Sequence, residues 1–466
     1  MEDSKVGLTT EILTFVHGLK YEQIPENIQL ELKRCLLDGI GVILSGVHSS
    51  CSQIIRSFIQ ENTNRGACSI LGTNINVPAA LAALANGVAG HAEDFDDTQL
   101  STAPDRIYGL LTHPTTPALA ATLAVAEEVN ATGKEFLTAF CAGFEVECKI
   151  ADAINPNHYV KGNHSTGTIG IFAAATGAAK LLGLTEQETA NAIGIAASKS
   201  AGIRANFGTM TKPYHAGAAA ENGVISAKLA QLGYIADPNA MDGPWGFFQV
   251  KGGDCDHDRL LGKLGNPYTL EHPGVSVKPY PCGSLSHPSM DALLDLINEH
   301  DIKPEEVDNV QLRAGNNILF PLRYTNPQNE LEAKFSLQFC LAILLLRRQA
   351  GLKEFKDEVV RDPKVCEMMT RIHTYHDQDI ESQGSTRMLS IVKVQMNNGE
   401  TFQKEASTSR GQPDRPMTRA ELEDKFISCA EGVLDRSESE KAIQAISEVD
   451  KLNNISGIVS KVTIAN

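Results

Sequence analysis

The chain has 466 residues, and its 41 Lys and Arg residues against 57 Asp and Glu residues give a formal net charge of -16 at pH 7. Nucleic-acid binding needs a basic face, so this charge argues against nucleic acid as the main partner, although a local cationic pocket for an anionic small molecule is compatible with it. A hydrophobic content of 42% and a mean hydropathy of -0.15 are typical of a globular protein, and the length predicts more than one domain.

We expect neither a secretory signal nor a membrane span. The stretch MEDSKVGLTTEI is charged and lacks an apolar run, and no uncharged run of about 18 apolar residues occurs. The ten cysteines are scattered without a CxxC pair, which is not the spacing of zinc or iron–sulfur ligands. These features predict a cytoplasmic protein with reduced, buried thiols.

The first half of the chain has the patterns of amphipathic and apolar helices. Helices are predicted within residues 8–60, among them Ile24–Val47, which begins amphipathic and becomes almost entirely apolar. The run Pro78–Ala89 predicts a buried helix, and the segment GHAEDFDDT (90–98) follows it with four carboxylates and one histidine within seven residues. Charges beside a buried helix are costly unless they are solvated, paired or functional, and all three interpretations are open at this point.

Three more segments place polar side chains at predicted helix starts. His113 precedes Pro114, which disfavours helical backbone angles for the histidine. His164 opens the segment HSTGTIG, and Lys212 and His215 lie in TKPYHAG. Helix N-termini favour bound anions, so these segments are candidates for substrate contacts. The helices predicted around them cover 118–129, 134–154, 169–182, 185–197, which starts with a capping box, and 216–232.

The pattern changes after residue 237, where Gly, Pro and Asp become frequent. A strand is predicted over 307–314, an apolar helix over 331–346, and a hairpin over 390–404 with Asn-Asn-Gly at its turn. The predicted fold is mainly α, with a large all-helical domain over 1–265 that is rejoined by about 406–466. A smaller α+β lid domain is predicted over 266–405.

The residue types allow several kinds of chemistry. Asp94 with His113 or His164 can supply general acid–base catalysis, since histidine titrates near neutral pH. Lys212 can bind a carboxylate, polarise an enolate oxygen or, as a less favoured alternative, form a Schiff base. A divalent metal site is the competing interpretation, but the acids lack the spacing of a calcium loop and no HExxH or phosphate-loop motif occurs. A single helix-terminal histidine is more often structural than catalytic.

Several motifs, in this order, resemble the MmgE/PrpD family, which includes 2-methylcitrate dehydratase, cis-aconitate decarboxylase and iminodisuccinate epimerase. They are LLDGIGV, GHAEDFDDT, THPTTPALAA, HSTGTIG, GTMTKPYHAGAAAENG, KPYPCGSLSH and LEAKFSLQF, and they span residues from about 30 to 345. The resemblance implies a helical domain with a smaller lid domain, a homodimer, no cofactor and a site in the cleft between the domains. The family's proposed active-site groups would fall on Asp94, Thr98, His113, His164, Lys212 and His287.

One segment departs from the cis-aconitate decarboxylase branch of that family. Residues 99–112 (QLSTAPDRIYGLLT) form a longer link than that branch has, and Arg106 and Tyr108 within it are candidates to reach the cleft. Substrate identity therefore cannot be transferred from that branch. The catalytic candidates are Asp94, His113, His164, Lys212 and His287, and the substrate-binding candidates are Thr98, Arg106, Tyr108, His215 and Lys278.

The predicted function is that of a lyase without cofactor or metal, a dehydratase or decarboxylase of a small di- or tricarboxylate. It would remove a proton or a carboxylate next to a carboxylate through an enolate-like intermediate. An epimerase of an amino- or imino-dicarboxylate is the first alternative, since two histidines and a carboxylate would also serve two-sided proton transfer. A catalytically inactive helical binding protein is the second.

Overall fold

The computed structural model describes residues 7–63, 65–99, 112–253, 255–383 and 388–464 of the chain. Within these ranges the fold is mainly α, with a large helical domain and a smaller α+β domain, as predicted. The helices of the large domain are α1 (Leu8–Gly18), α2 (Glu26–Gly46), α3 (Ser50–Asn62), α4 (Ala79–Ala92), α5 (Thr115–Glu128), α6 (Gly133–Ile154), α7 (Asn157–Val160), α8 (Ser165–Leu181), α9 (Glu186–Lys199) and α10 (Thr211–Gln231). The smaller domain contains α11 (His287–His300), α12 (Asn316–Leu319), α13 (Glu330–Ala333), α14 (Leu337–Arg347), α15 (Asp357–Val360), α16 (Pro363–Thr370) and α17 (Gln378–Ser382), and it is followed by α18 (Arg419–Ala430), α19 (Arg436–Ser447) and α20 (Ser456–Val459).

The strands are few and most of them belong to the smaller domain. Two short antiparallel pairs are β1 (Cys68–Ser69) with β2 (Asn76–Val77) and β3 (Thr98–Gln99) with β4 (Val275–Ser276). The four-stranded sheet contains β5 (Val307–Ala314), β6 (Ile372–His376), β7 (Ser390–Met396) and β8 (Thr401–Ala406). Its order is β6-β5-β7-β8, with β5 parallel to β6 and antiparallel to β7. Alternate residues of β7 are buried, so one face of the sheet packs on α11 and α14.

Small residues allow the central helices of the large domain to pack very closely. A Cβ atom at Gly87 of α4 would lie 2.7 Å from the Cα atom of Gly217 of α10, and a Cβ atom at Gly217 would lie 2.5 Å from the carbonyl oxygen of Leu84. Only glycine fits such a backbone contact. This crossing brings the start of α10 next to the end of α4, where the acidic segment begins.

The C-terminal helices pack on the large domain. α18 lies along α2, where a Cβ atom at Gly41 would be 3.2 Å from the ring of Phe426. Leu422 and Ile443 belong to the same apolar core as Leu36. This is the packing expected of a C-terminal segment that rejoins the helical domain.

Most predicted elements are present, and the differences lie at their ends. The strands over 307–314 and 390–396 have the predicted bounds, and the hairpin between β7 and β8 forms at the predicted turn. α8 begins at Ser165 and α10 at Thr211, both earlier than the predicted starts at 169 and 216. The first turn of a helix accepts small polar residues and proline. Ser165 and Pro213 therefore lie inside helices whose starts the apolar pattern predicts too late.

The apolar helix predicted over 331–346 is divided into α13 and α14. The break contains Lys334, and the side chain of Ser336 accepts a hydrogen bond from the backbone N–H of Phe339 and caps α14. Ser is a preferred N-cap, so the second helix has its own start signal. The break gives Lys334 a position at the boundary between the domains.

Among the described residues, no single helix is long and apolar enough to cross a membrane. α2 and α3 reach the required length and composition only when they are taken together. The two helices are bent by 81° relative to each other, and α2 contributes to the core of the large domain.

Replacement of Gly217 by alanine should destabilise the protein, because the new Cβ atom would collide with the backbone of α4. We expect the free energy of unfolding to fall by about 1–3 kcal/mol, the usual effect of overpacking. Denaturant unfolding followed by circular dichroism measures it. Gly18→Ala is the matched control, because nothing lies within 4 Å of a Cβ atom there; an equal loss for both variants would contradict the close crossing.

Candidate active site

The four carboxylates of the acidic segment are buried, and each has its own partners. Lysines from distant parts of the chain bind two of them, and imidazole or hydroxyl groups bind the other two. The pairs are Glu93 with Lys334, Asp94 with Lys212 and Lys278, Asp96 with His91, His113 and Thr116, and Asp97 with Thr115. The segment is therefore paired rather than solvated.

A continuous chain of hydrogen bonds runs through the centre of this segment. His91 Nδ1 lies 2.8 Å from Asp96 Oδ2, and His91 Nε2 lies 2.8 Å from Lys212 Nζ. Lys212 Nζ donates to Asp94 Oδ1 at 2.6 Å, and Lys278 Nζ donates to Asp94 Oδ2 at 3.0 Å and to the Asp94 carbonyl oxygen at 2.7 Å. Asp94 has a φ of 52°, a left-handed conformation that is uncommon outside glycine and that clusters at functional sites.

Two features of the fold bring the lysines to Asp94. The crossing of α4 and α10 places Lys212, in the first turn of α10, beside His91 at the end of α4. β3 pairs with β4 so that Thr98 lies opposite Ser276. Lys278 is two residues after Ser276, and the pairing therefore places it close to the acidic segment. Both lysines are thus positioned by backbone contacts.

Each of the two ammonium groups retains one hydrogen-bond donor. An ammonium group has three N–H donors. Lys212 uses two, for Asp94 and His91, and Lys278 uses two, for the side chain and the carbonyl oxygen of Asp94. No further hydrogen-bond partner of either ammonium occurs among the described residues, although the Lys212 ammonium also lies 5.5 Å and 5.6 Å from the ring centroids of Phe207 and Phe335, so one N–H of each is available to a ligand.

These groups line a cleft between the two domains. The large domain contributes Lys212, His113 and His164, and the smaller domain contributes Ser284, Leu322 and Phe335. The cleft thus has a polar wall and a more apolar wall, which is the usual composition of a small-molecule site.

The imidazole of His113 lies beside the carboxylate of Asp96 without a hydrogen bond between them. Asp96 Oδ1 lies 3.3 Å from His113 Nδ1, and the His113 side chain is 14% exposed. With Nδ1 facing a carboxylate, Nε2 is the nitrogen left for a ligand. His113 is therefore a partly accessible imidazole with a carboxylate beside it, which suits an acid–base group.

His164 is held by a second histidine. His164 Nδ1 lies 2.9 Å from His215 Nδ1, so one of the two nitrogens donates and the other accepts. Besides His113 Nδ1, three buried polar atoms among the residues that line the cleft have no hydrogen-bond partner within the described ranges. They are Tyr159 Oη, His164 Nε2 and Ser165 Oγ.

Burial and neighbouring charges shift the pKa values in this site. Burial alone would raise the pKa of Asp94, but the ammonium groups of Lys212 and Lys278 outweigh it and hold that pKa well below its usual range. Burial lowers the pKa of His91 to about 3 and that of His164 well below its usual range. At neutral pH the site therefore combines an ionised Asp94 with the neutral imidazoles of His91 and His164.

The buried histidines predict a loss of stability in mild acid. Burial lowers the pKa of His158 to about 4, and this imidazole contacts the Lys251 carbonyl oxygen and Thr168 Oγ1. The unfolded chain therefore binds more protons below about pH 6.5, and the free energy of unfolding falls as the pH is lowered to about 4. In His158→Gln, we expect this slope to be less steep by up to about 1.4 kcal/mol per pH unit. Urea unfolding at several pH values measures it.

The control for this slope is His48→Gln, since His48 is an exposed residue. An exposed imidazole is hydrated in both the folded and the unfolded protein. Its loss should therefore leave the pH dependence of the free energy of unfolding unchanged. Equal slopes for the wild type and His158→Gln would contradict the buried, neutral state of His158.

The structure brings only part of the predicted site residues to the cleft. Asp94, His113, His164, Lys212 and Lys278 line it. Three other candidates are not among the described residues that line it: Thr98 lies in β3 opposite Ser276, His215 contacts His164, and His287 Nε2 lies 3.2 Å from the Cys282 carbonyl oxygen. Arg106 and Tyr108 lie outside the described residues.

Sequence reasoning missed several residues that the structure places here. The sequence pattern singles out His91 only as part of the acidic segment. An imidazole at the end of a buried helix needs a polar partner, and this need is the signal that could have identified it. Lys334 is the last charge before the uncharged run 335–346, which is a comparable signal. Tyr159 has no sequence signal that separates it from an ordinary core tyrosine.

One cluster has the residue types of a metal site. Ligand atoms of His91, Asp94 and His113 lie within 4.8 Å of one another. The Lys212 ammonium already binds two of these residues, at 2.8 Å from His91 Nε2 and 2.6 Å from Asp94 Oδ1. A metal ion would have to displace that ammonium, so the donor set fits an ammonium group better than a metal.

Family models and known relatives match most of this chain. The model of the MmgE/PrpD N-terminal domain matches residues 10–259, and that of the MmgE/PrpD C-terminal domain matches residues 280–451. Cis-aconitate decarboxylase of Homo sapiens is 26% identical over 97% of this chain and 93% of its own length, and that of Aspergillus terreus is 25% identical over 98% and 96%. 2-Methylcitrate dehydratase of Escherichia coli is 23% identical over 79% of each chain.

Proposed function

This chain belongs to the MmgE/PrpD family and is a lyase, and we propose that it removes a carboxylate or water from a small tricarboxylate in the cleft between its domains. The observation that carries the proposal is the pair of buried ammonium groups, Lys212 and Lys278, held on one carboxylate with a free N–H each. Two such donors favour a ligand with several negative charges. The substrates named for the relatives, cis-aconitate and 2-methylcitrate, are tricarboxylates.

The two reactions develop charge at the same place. In a decarboxylation the bond to a carboxylate carbon breaks, its electron pair moves towards a neighbouring carboxylate, CO2 leaves and an acid protonates the carbon. In a dehydration a base removes a proton next to a carboxylate, a carbon–carbon double bond forms, and the hydroxyl group takes a proton from an acid and leaves as water. In both, negative charge grows on a carboxylate oxygen, and Lys212 and Lys278 would stabilise it in a site from which water is largely excluded.

The roles of the remaining groups follow from their partners. A carboxylate that binds two ammonium groups is a weak base, so Asp94 would position the lysines rather than move a proton. His113, which lies beside Asp96, and His164, which is neutral and whose Nε2 has no hydrogen-bond partner among the described residues, are the groups we assign to proton transfer. We propose that this chemistry needs neither a cofactor nor a metal.

Proton NMR of the purified protein in heavy water tests the function. The panel is cis-aconitate, 2-methylcitrate, citrate and iminodisuccinate. We expect loss of CO2 or water from a tricarboxylate, and we expect that activity to survive prolonged dialysis against a chelator. Deuterium exchange with inversion and no elimination would identify an epimerase instead. Binding without any conversion would identify the inactive binding protein.

We also propose that the protein is a homodimer. Large apolar side chains are exposed close together in the sequence after α10: Leu232 is 85% exposed, Ile235 79% and Trp245 90%. Exposed apolar patches are typical of subunit interfaces. For the location in the cell we propose the cytoplasm, because all ten cysteines are free thiols, as in a reducing compartment.

A further inference from the structure

The N-terminus of α8 meets the cleft with donors that have no partner. The helix has 17 residues, and its N-cap residue, His164, makes no side-chain capping bond. The backbone N–H groups of Ser165 and Thr166 have no hydrogen-bond partner in the part of the chain that the structure describes, and both residues line the cleft. The N–H groups and the helix dipole at such an end attract a negative charge.

Buried side chains at the same place are also unpartnered. Tyr159 Oη and Ser165 Oγ have no hydrogen-bond partner among the described residues, and the two residues are only 5% and 2% exposed. A buried polar group without a hydrogen-bond partner is unfavourable, so a ligand that binds these two hydroxyl groups would be stabilised by them. The tyrosine is fixed in place, because the guanidinium of Arg204 lies 3.7 Å from its ring centroid and Arg204 Nη1 donates to its carbonyl oxygen at 3.0 Å.

We propose that Tyr159, Ser165 and the N-terminus of α8 form a binding subsite for one carboxylate of the substrate, separate from the pair of lysines. The inference rests on the proposed function, because it assumes a substrate with several carboxylates. Two hydroxyl groups and two backbone N–H groups supply four donors for the two oxygens of a carboxylate. Lys212 and Lys278 then remain for the carboxylate on which charge develops.

The donor pattern makes the subsite selective. Backbone N–H groups cannot accept a hydrogen bond, and burial raises the pKa of Tyr159 to about 12, so its hydroxyl group remains a donor at neutral pH. An amide in place of the carboxylate would direct its own N–H groups at these donors and would lack the charge that favours a helix N-terminus. The subsite therefore distinguishes a tricarboxylate from its monoamide.

Isothermal titration calorimetry with propane-1,2,3-tricarboxylate tests the subsite. This compound has neither a double bond nor a hydroxyl group, so the enzyme can bind it without turning it over. We expect Tyr159→Phe and Ser165→Ala to weaken its binding by about tenfold each, and the double variant by about 100-fold, as for hydrogen bonds to a charged group. The matched control is Tyr268→Phe, a buried tyrosine that does not line the cleft.

The outcomes separate this inference from the proposed function. Unchanged affinity in both folded variants would overturn the subsite while leaving turnover of a tricarboxylate untouched. If the wild type converts no substrate but the variants bind propane-1,2,3-tricarboxylate more weakly, the subsite is supported and the proposed removal of a carboxylate or water is overturned. Inorganic phosphate that binds as tightly as the tricarboxylate would overturn the assignment to a carboxylate. If Tyr159→Phe does not fold, Ser165→Ala alone decides.

Discussion

Replacement of Lys212 by methionine should lower kcat by about 10³-fold or more, the largest effect on activity that we expect from any substitution. Lys212 Nζ lies 2.6 Å from Asp94 Oδ1 and 2.8 Å from His91 Nε2, and its third N–H is free to meet the substrate. Loss of one donor that stabilises a developing oxyanion costs about 10²–10³-fold, and here a full positive charge is lost as well. The effect should fall mainly on kcat, because Lys278 still attracts the carboxylates.

The stability of this variant is part of the test. Asp94 keeps Lys278 as a partner, at 3.0 Å from Oδ2, so no carboxylate is left without a positive charge. We therefore expect a folded protein by circular dichroism. Lys180→Met is the matched control: it removes a partly buried ammonium that binds the Val16 carbonyl oxygen away from the cleft. A folded Lys212→Met variant with near-normal kcat would contradict the role that we assign to this lysine.

Local patterns in the sequence were sufficient to predict most elements of the fold. The alternation over 307–314 and 390–396 predicted both strands at their observed bounds, and Asn398-Gly399 predicted the turn between β7 and β8, where Gly399 has a φ of 91°. Helix starts were predicted too late at α8 and α10. The reason is that small polar residues and proline in a first turn lack the apolar periodicity that identifies a helix.

The contacts within the site could not be predicted in the same way. Asp94 meets Lys212 and Lys278 across 118 and 184 residues of sequence, and these pairings depend on a helix crossing and on the β3–β4 pair. His287 was expected in the cleft, but it begins α11 and its Nε2 faces the Cys282 carbonyl oxygen. The sequence identifies charged residues that need partners. It does not identify the partner that the tertiary fold supplies.

His215 illustrates the same limit. It lies in the TKPYHAG segment with Lys212 and was expected to bind substrate directly. The two are three positions apart on α10, yet Lys212 lines the cleft while His215 Nδ1 contacts His164 Nδ1. We therefore assign His215 to the positioning of His164, since the nitrogen that donates in this pair determines whether His164 Nε2 carries a proton.

The ion pair between Glu93 and Lys334 should have the largest effect on stability. Glu93 Oε2 lies 2.5 Å from Lys334 Nζ, the two side chains are 4% and 2% exposed, and the pair joins the acidic segment to the smaller domain. Lys334→Met leaves this buried carboxylate with a single cationic partner among the described residues, Lys356, which lies 3.8 Å from Glu93 Oε1 and is 43% exposed. Removal of one partner of a buried pair costs about 3–5 kcal/mol. We expect a loss of that size in the free energy of unfolding at pH 7.

A double-mutant cycle separates the interaction energy of Glu93 with Lys334 from the contributions of the individual side chains. Glu93→Gln combined with Lys334→Met leaves no unpaired charge, so the double variant should lose less stability than the sum of the two single variants. Denaturant unfolding of all four proteins gives the coupling energy. The exposed pair of Arg436 with Glu440 is the control, and Arg436→Met should cost less than about 1 kcal/mol. Additive losses at Glu93 and Lys334 would contradict the coupling.

Because Glu93 precedes Asp94 directly, a strong coupling would mean that the contact between the domains also holds the carboxylate that positions both active-site lysines.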